Sequence, residues 1–182
     1  MSVTIRRATP ADAPALAEVA AATFALACPP HVTKESIATF IREVLSEERF
    51  EDYLADDSRV LFLAETDRPV GYAMLVVGEP GDPEVRAVLS HRPTSELSKI
   101  YVLPEGHGAG VSRELMAASL QAARDAGAVG VWLGVNQENE RAQRFYAKSG
   151  FTRVGTKRFR VGDRYEDDFV FEQGLSSGKG SE

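Results

Sequence analysis

The sequence predicts a mixed α/β fold of the α+β kind, in which helices pack on a central sheet. Three observations predict it. Seven short segments carry strand patterning. Two pairs of them are joined by tight turns and read as hairpins: residues 59–65 with 70–77 around Thr66-Asp67-Arg68-Pro69, and 151–160 with 164–172 around Val161-Gly162-Asp163. Between those hairpins, strands alternate with helices instead. At 182 residues the chain fits one domain with an ample core, residues 1–173, followed by a Ser/Gly-rich tail over 174–182 that reads as disordered.

The elements follow in order. Residues 3–7 alternate and read as a strand. Thr9 then caps a helix, with Pro10 suited to its first position and Asp12 to its first turn. That alanine-rich helix must stop before Cys28-Pro29-Pro30. Thr33 caps a second helix whose apolar face is Ile37, Phe40, Ile41, Val44 and Leu45. Residues 47–54 read as another helical turn or two, strongly acidic. After the first hairpin, residues 79–93 are rich in Pro, Gly and Asp and read as a loop. Residues 96–103 form a strand that enters a loop with Gly106, Gly108 and Gly110. A helix over 108–126 follows, closed by Gly127. Residues 129–135 are a near-continuous apolar run, as a buried central strand requires. Residues 138–148 form a helix ended by Ser149-Gly150.

Composition narrows the function classes. Apolar content of 43% and charged content of 26% are those of an ordinary globular chain. No apolar run approaches the roughly 18 residues of a membrane span, so no membrane partner is expected. The first ten residues lack the apolar core of a secretory peptide. Cys28 is the only cysteine, which excludes an intrachain disulfide and a cysteine-rich zinc site. A cytoplasmic location and a metal-free site are expected. The net charge of -6 argues against general nucleic-acid binding and suits a cationic substrate.

A strand that runs through close glycines into a helix builds an anion site. The glycines turn backbone N–H groups toward one point, and the helix N-terminus adds its positive end. A Walker A loop is excluded, because no lysine stands between Lys99 and Lys148. A dinucleotide fingerprint also fails: starting from Gly106 or Gly108, the third glycine would fall at Val111 or Arg113. A plain strand-to-helix turn stays open on these residues alone.

Tyr101-Val-Leu-Pro-Glu-Gly-His-Gly-Ala-Gly-Val-Ser-Arg-Glu-Leu115 resembles motif A of the GNAT N-acetyltransferase superfamily, with Gly108 and Gly110 at its two small positions. Glu105 stands where Gln or Arg is usual, and His107 where Arg is frequent. Residues 134–151, through Asn139, Ala142, Phe145-Tyr146 and Gly150-Phe151, resemble motif B. The stretches Trp132-Leu-Gly-Val135, Asn139-Glu140, Val161-Gly-Asp163, Glu166-Asp167-Asp168, Glu96-Leu-Ser-Lys-Ile-Tyr-Val102 and Pro29-Pro30 are most similar to PaiA-like polyamine N-acetyltransferases. The resemblance implies a mostly antiparallel central sheet of six to seven strands, helices on both faces, and a gap where the 96–103 strand and the Trp132 strand splay apart.

It also implies acetyl-CoA as co-substrate. Backbone N–H groups of His107, Gly108, Ala109, Gly110, Val111 and Ser112 would hold the pyrophosphate, and Arg113 would add a charge-assisted contact. Backbone groups of Ile100, Tyr101 and Val102 would pair with the pantetheine arm like an added strand. Asn139 would contact the cofactor near the thioester. His107 suits the phosphates better than the amine.

Acetyl transfer to an amine needs a neutral nucleophile, a polarised carbonyl, near-attack geometry and a protonated leaving thiolate. Tyr146 fits the last role: a phenol with pKa of about 10 can protonate a thiolate whose thiol has pKa of about 8.5. On periodicity alone, without the resemblance, Tyr146 reads first as a packing aromatic. Glu96 is the candidate base, either as a catalytic carboxylate or as a charge at a strand end. Alternation would put Glu96, Ser98, Ile100 and Val102 on one strand face. Arg141 and Arg144 either meet a coenzyme A phosphate or form a solvated basic face, the reading favoured here, and His31 and His91 read as surface residues. Glu43, Glu47, Glu48, Glu51 and Asp52 form one acidic cluster, and Asp163, Glu166, Asp167 and Asp168 another. Were both to line the amine cleft, a polyamine such as spermidine or spermine would be favoured. Otherwise they are acidic solvated faces. A protein or antibiotic amine, or an acyl-CoA-binding module without chemistry, are the alternatives. A homodimer would cover the exposed strand edges.

Overall fold

The computed structural model describes residues 2–108 and 110–176 and places all seven expected strands in one sheet. They are β1 (Thr4–Arg7), β2 (Arg59–Glu65), β3 (Pro69–Val77), β4 (Thr94–Val102), β5 (Gly130–Asn136), β6 (Thr152–Val161) and β7 (Arg164–Gly174). Their order across the sheet is β1-β2-β3-β4-β5-β7-β6. Every neighbouring pair is antiparallel except β4 with β5, which is parallel. Six helices accompany them: α1 (Ala13–Ala27), α2 (Lys34–Val44), α3 (Glu47–Ala55), α4 (Pro83–Val88), α5 (Val111–Asp125) and α6 (Glu140–Lys148). Among the described residues, no helix is long and apolar enough to cross a membrane.

The sheet is covered on both faces, and β3 shows how. Its side chains alternate, so Ala73 and Leu75 join the core under α5, with Leu115, Met116 and Leu133. Tyr72 and Met74 join the core under α1, α2 and α3, with Leu16, Phe24, Phe40 and Phe50. Burial on both faces explains why β3 reads as an unbroken apolar run. Fully burying one such leucine contributes about 1.5–3 kcal/mol. A smaller cluster packs Val85 of α4 against Trp132 and Val170.

Local chemistry fixes the helix starts. Thr33 Oγ1 accepts from Ser36 N at 3.0 Å, Ser46 Oγ from Arg49 N at 3.2 Å, and Asn139 Oδ1 from Ala142 N at 3.1 Å. Each such cap is worth about 1 kcal/mol. Thr9 does not cap α1 with its side chain. Residues Pro10–Asp12 form a 3₁₀ turn instead, and the Asp12 carboxylate accepts from Thr9 N at 2.7 Å while pairing with Arg6 at 2.8 Å.

Three sequence expectations change. The loop expected over residues 79–93 contains α4, because Asp82 accepts from Glu84 N at 2.9 Å, Pro83 opens the first turn and Val85 is fully buried. The helix expected from Gly108 starts at Val111, because Gly108 (φ 84°) and Gly110 (φ 76°) are left-handed and cannot lie inside a right-handed helix. Two residues expected in the tail, Gly174 and Leu175, belong to the folded domain. Gly174 closes β7 opposite Gly130, and Leu175 donates its N–H to Val129 O at 2.8 Å and packs on the α5 core. Residues 177–182 lie outside the described residues.

A fourth change matters most for function. Along the β3–β4 ladder, Met74 faces Lys99 but Leu75 faces Leu97, so Ser98 is an extra residue in β4. This bulge breaks the expected alternation of Glu96, Ser98, Ile100 and Val102. Leu97, Ile100 and Val102 pack toward α5, whereas Tyr101 packs toward α1–α3. Glu96 lies with Lys99, near Lys157 and Arg59, and not with Ile100 and Val102. Beside the bulge the sheet opens. β4 and β5 pair only at Thr94–Gly130, Ser95–Val131 and Glu96–Trp132, while β5 stays paired with β7 through Asn136–Asp168.

Candidate active site

The opening between β4 and β5 is a cleft of about 650 Å³, within the usual range of ligand sites. Its wall on β4 carries Glu96, Ser98, Lys99, Ile100, Tyr101 and Val102, and its wall on β5 carries Gly134, Val135 and Asn136. Among the described residues, the β4 backbone has no ladder partner on the β5 side from Leu97 onward. The edge expected to pair with an extended ligand arm is therefore open. The carbonyl of Val102 is the exception, since His107 Nε2 lies 3.1 Å from it.

At one end of the cleft stands the N-terminus of α5. Side chains cap α2, α3, α4 and α6, but α5 has Gly110 as N-cap and no side-chain cap. Its first-turn N–H groups have no intrahelical partner and sit at the positive end of the helix dipole. The donor set suits a phosphate or pyrophosphate. Ser112 and His107 line the cleft. Val111 is 1% exposed with its side chain in the core, so only its backbone faces a ligand. Ala109 lies outside the described residues. Arg113 is exposed and is not part of the cleft wall.

The two departures from motif A acquire partners. Glu105 turns outward to Arg68, with Nη2 to Oε1 at 2.7 Å. His107 is held between Val102 O and Arg141, whose Nη2 lies 3.1 Å from Nδ1. With Nε2 donating to the carbonyl, Nδ1 accepts from the guanidinium. Arg141 thus brings to this mouth the positive charge that the loop's own side chains lack, and it lines the cleft rather than a merely solvated face.

Asn139 lines the cleft too, but its oxygen is committed to capping α6, leaving the amide N–H groups to donate. Tyr146 stands one helical stretch further on. Its ring lies 6.1 Å from Phe151 and 6.3 Å from Phe171, so it both packs and lines the cleft. Burial, with Tyr101 nearby, holds the Tyr146 phenol well above its ordinary value. Burial, with Asp168 nearby, pushes the Tyr101 phenol up to about 12. Both phenols are therefore protonated donors near neutral pH.

The far end of the cleft is charged. Burial raises the Glu96 carboxyl against the pull of Lys157, Lys99 and Arg59. Burial lowers Lys99 to about 8, and its Nζ lies 5.9 Å from the Phe40 ring centre. Asp168 is 5% exposed, and burial pushes it up to about 6 despite Lys157 Nζ at 3.7 Å from Oδ2. Its Oδ1 has no hydrogen-bond partner among the described residues. Glu166, also buried, accepts from Asn136 Nδ2 at 3.4 Å and meets His31 Nε2 at 2.7 Å, while His31 Nδ1 lies 3.3 Å from Glu138. The ring sits between two carboxylates, one on each nitrogen. These three side chains form one cluster at the edge of the cleft. His31 is exposed as expected, and it also meets Glu166 at the cleft.

The acidic clusters separate. Glu43, Glu47, Glu48, Glu51 and Asp52 do not line the cleft, nor do Asp163 and Asp167, whereas Glu166 and Asp168 do. The condition for a strongly anionic cleft is not met. Lys99 and Lys157 are in the site and sequence reasoning does not find them, whereas Arg141 takes the first of its two readings, at the cleft. Lys99 and Lys157 lie 58 positions apart in sequence and meet only through the sheet.

The family model for the acetyltransferase (GNAT) family matches residues 24–151. The chain belongs to the GNAT acetyltransferase family. A Mycobacterium tuberculosis relative, named an uncharacterized N-acetyltransferase, is 50% identical over 165 residues, covering 90% of this chain and 98% of its own. A Lactobacillus delbrueckii relative, also named an uncharacterized N-acetyltransferase, is 26% identical over 166 residues, covering 90% and 92%. Among solved structures, the PaiA N-acetyltransferase of Thermoplasma acidophilum in complex with coenzyme A superposes with a TM-score of 0.76 at 21% identity, covering 96% of this chain and 100% of that one. A Salmonella typhimurium putative acetyltransferase with acetyl-CoA gives 0.64 at 21% identity, covering 100% and 99%. At that identity the two structures establish the fold. With the family it follows that this GNAT protein is an N-acetyltransferase enzyme.

Proposed function

We propose that the protein moves the acetyl group of acetyl-CoA directly onto a primary amine. The observation that carries this reading is the opened β4–β5 gap, with Tyr146 beside it and the unpartnered Asp168 Oδ1 on its far side. Acetyl-CoA supplies the activated acyl thioester. The residues to hold it are the N–H groups of the Gly108–Ser112 turn, Arg141 with His107, the open β4 edge at Ile100 and Tyr101, and Asn139.

The remaining chemistry belongs to side chains. The amine must lose a proton before it attacks, because an ammonium with pKa of about 10.4 has no lone pair. Asp168 and Glu96 are the carboxylates able to receive it. As the C–N bond forms and the C–S bond breaks, Tyr146 is placed to give a proton to the leaving sulfur, and the nitrogen's second proton passes through water to restore the phenol, since the carboxylate already holds the first. Burial keeps Tyr146 protonated for this role.

Spermidine and spermine are the polyamine acceptors to assay first, supported by Glu96, Glu166 and Asp168 in the cleft and opposed by Lys99 and Lys157 beside them. The test is release of the coenzyme A thiol with polyamines, aminoglycosides, peptide amines and amino acids. Release that requires an amine is expected. Tight binding of acetyl-CoA with no turnover on any amine would replace the enzyme reading with an acyl-CoA-binding module.

A further inference from the structure

The charged end of the cleft holds both signs, separated. Asp168 presents a buried carboxylate oxygen with no partner among the described residues. Lys99 presents an ammonium with the opposite want. Among the described residues, no carboxylate comes within ion-pair distance of it. The charges felt at Lys99 are Glu96, which attracts, and Arg59 and Lys157, which repel, so its surroundings favour an added anion. Its Nζ lies 5.9 Å from the centre of the Phe40 ring, a cation–π contact that supplies no counter-charge. A buried charge left without a partner is costly, and a site that keeps one of each sign gains from a ligand that supplies both complements. A long polycation supplies only one, and would set an ammonium against Lys99 and Lys157.

We infer that the acceptor is a zwitterion, an amine bearing a carboxylate, with its nitrogen at Asp168 Oδ1 and its carboxylate at Lys99. The inference rests on the acetyl-transfer reading for its chemistry but not for its binding. Amino acids and short ω-amino acids are the class that fits. Lys157 is the positioning residue, since its pair with Asp168 at 3.7 Å fixes which carboxylate oxygen is left for the amine.

The experiment uses the full chain with coenzyme A or acetyl-CoA. The probes are L-amino acids, β-alanine and 4-aminobutyrate, each beside its own carboxamide, together with spermidine. Turnover is read as coenzyme A release, and binding to the protein–coenzyme A complex is read by calorimetry. One charge-assisted contact predicts a preference of about tenfold for acid over carboxamide in kcat/KM and in affinity. Lys99→Met should collapse that preference, and Lys99→Arg should restore most of it. Carboxamides or spermidine used as well as the acids by the native protein would overturn the inference while leaving acetyl transfer intact. Acids bound in preference to carboxamides but never acetylated would uphold the inference and overturn acetyl transfer.

Discussion

Gly134 and Lys157 occupy the same space: a Cβ on Gly134 would lie 2.5 Å from Lys157 Cε and 3.2 Å from Asp168 Oδ2. The absence of a side chain on β5 is what lets the lysine of β6 cross toward the carboxylate of β7. A structural reading of this glycine as a mere strand residue would not require it.

Gly134→Ala is therefore expected to act on the site more than on the fold. The clashing atom is the far end of a flexible side chain, so Lys157 swings away and the stability cost stays at or below the low end of the usual overpacking range, about 1 kcal/mol. The amine KM should rise and acetyl-CoA affinity should hold. Thermal melting and calorimetry separate the two. A large fall in Tm with unchanged KM would contradict this account.

Tyr146→Phe should keep the fold, because the ring contacts with Phe151 and Phe171 survive. If the hydroxyl protonates the leaving sulfur, kcat falls by about 10²-fold or more while acetyl-CoA affinity is kept. A kcat unchanged at every pH would remove Tyr146 from the chemistry and leave it as packing.

Asp168 links activity and stability to pH. It faces Lys157 from β6, Glu166 and Asp167 on its own strand, and Tyr101 from β4. With its folded pKa at about 6, amine turnover should fall as pH drops through that value, and Asp168→Asn should abolish that limb together with most activity. Stability moves the other way. The native state holds this proton up to about pH 6 and the unfolded chain only to about pH 3.9, so stability from this group falls as pH rises across that window. Asp168→Asn should flatten that part of the curve, measured by urea unfolding between pH 4 and 7.

Arg141→Met should weaken acetyl-CoA binding about tenfold and leave the amine KM nearly unchanged, since the guanidinium lies at the His107 end of the cleft. The loss should shrink at high salt, because a partly exposed charge is screened. Equal acetyl-CoA affinity at low salt would show that backbone donors of the α5 turn suffice.

The strands, the hairpins and the glycine-led helix were legible because each is written locally. Thr33, the turn residues around Arg68, and Gly127 act within a few positions of themselves. The bulge at Ser98 is not local. It exists because Met74 and Leu75 of β3 choose Lys99 and Leu97 as partners, and nothing in the β4 sequence breaks its own alternation. The same reason hid the charged end of the cleft. Lys99 and Lys157 are ordinary surface types in sequence, and Asp168 was one of an acidic run of which only Glu166 and Asp168 reach the cleft. Tyr146 and Asn139 were legible through their motif, although Asn139 proves to spend its oxygen on the cap of α6. Helix α4 was hidden by its own Pro and Gly neighbours, although Asp82-Pro83 is a sound helix start.

Among the described residues, β4 and β5 share three ladder pairs, extended by one bond from Val129 N to Pro93 O, and this short seam joins the two halves of the sheet. Each half carries its own long ladders, β3 with β4 on one side and β5 with β7 on the other. A molecule lodged between them behaves mechanically as a missing strand, tying together plates that otherwise meet along a short seam. Amide hydrogens of residues 97–102 should then exchange more slowly with solvent deuterium when the gap is filled, while those deep in the β2–β3 ladder keep their pace.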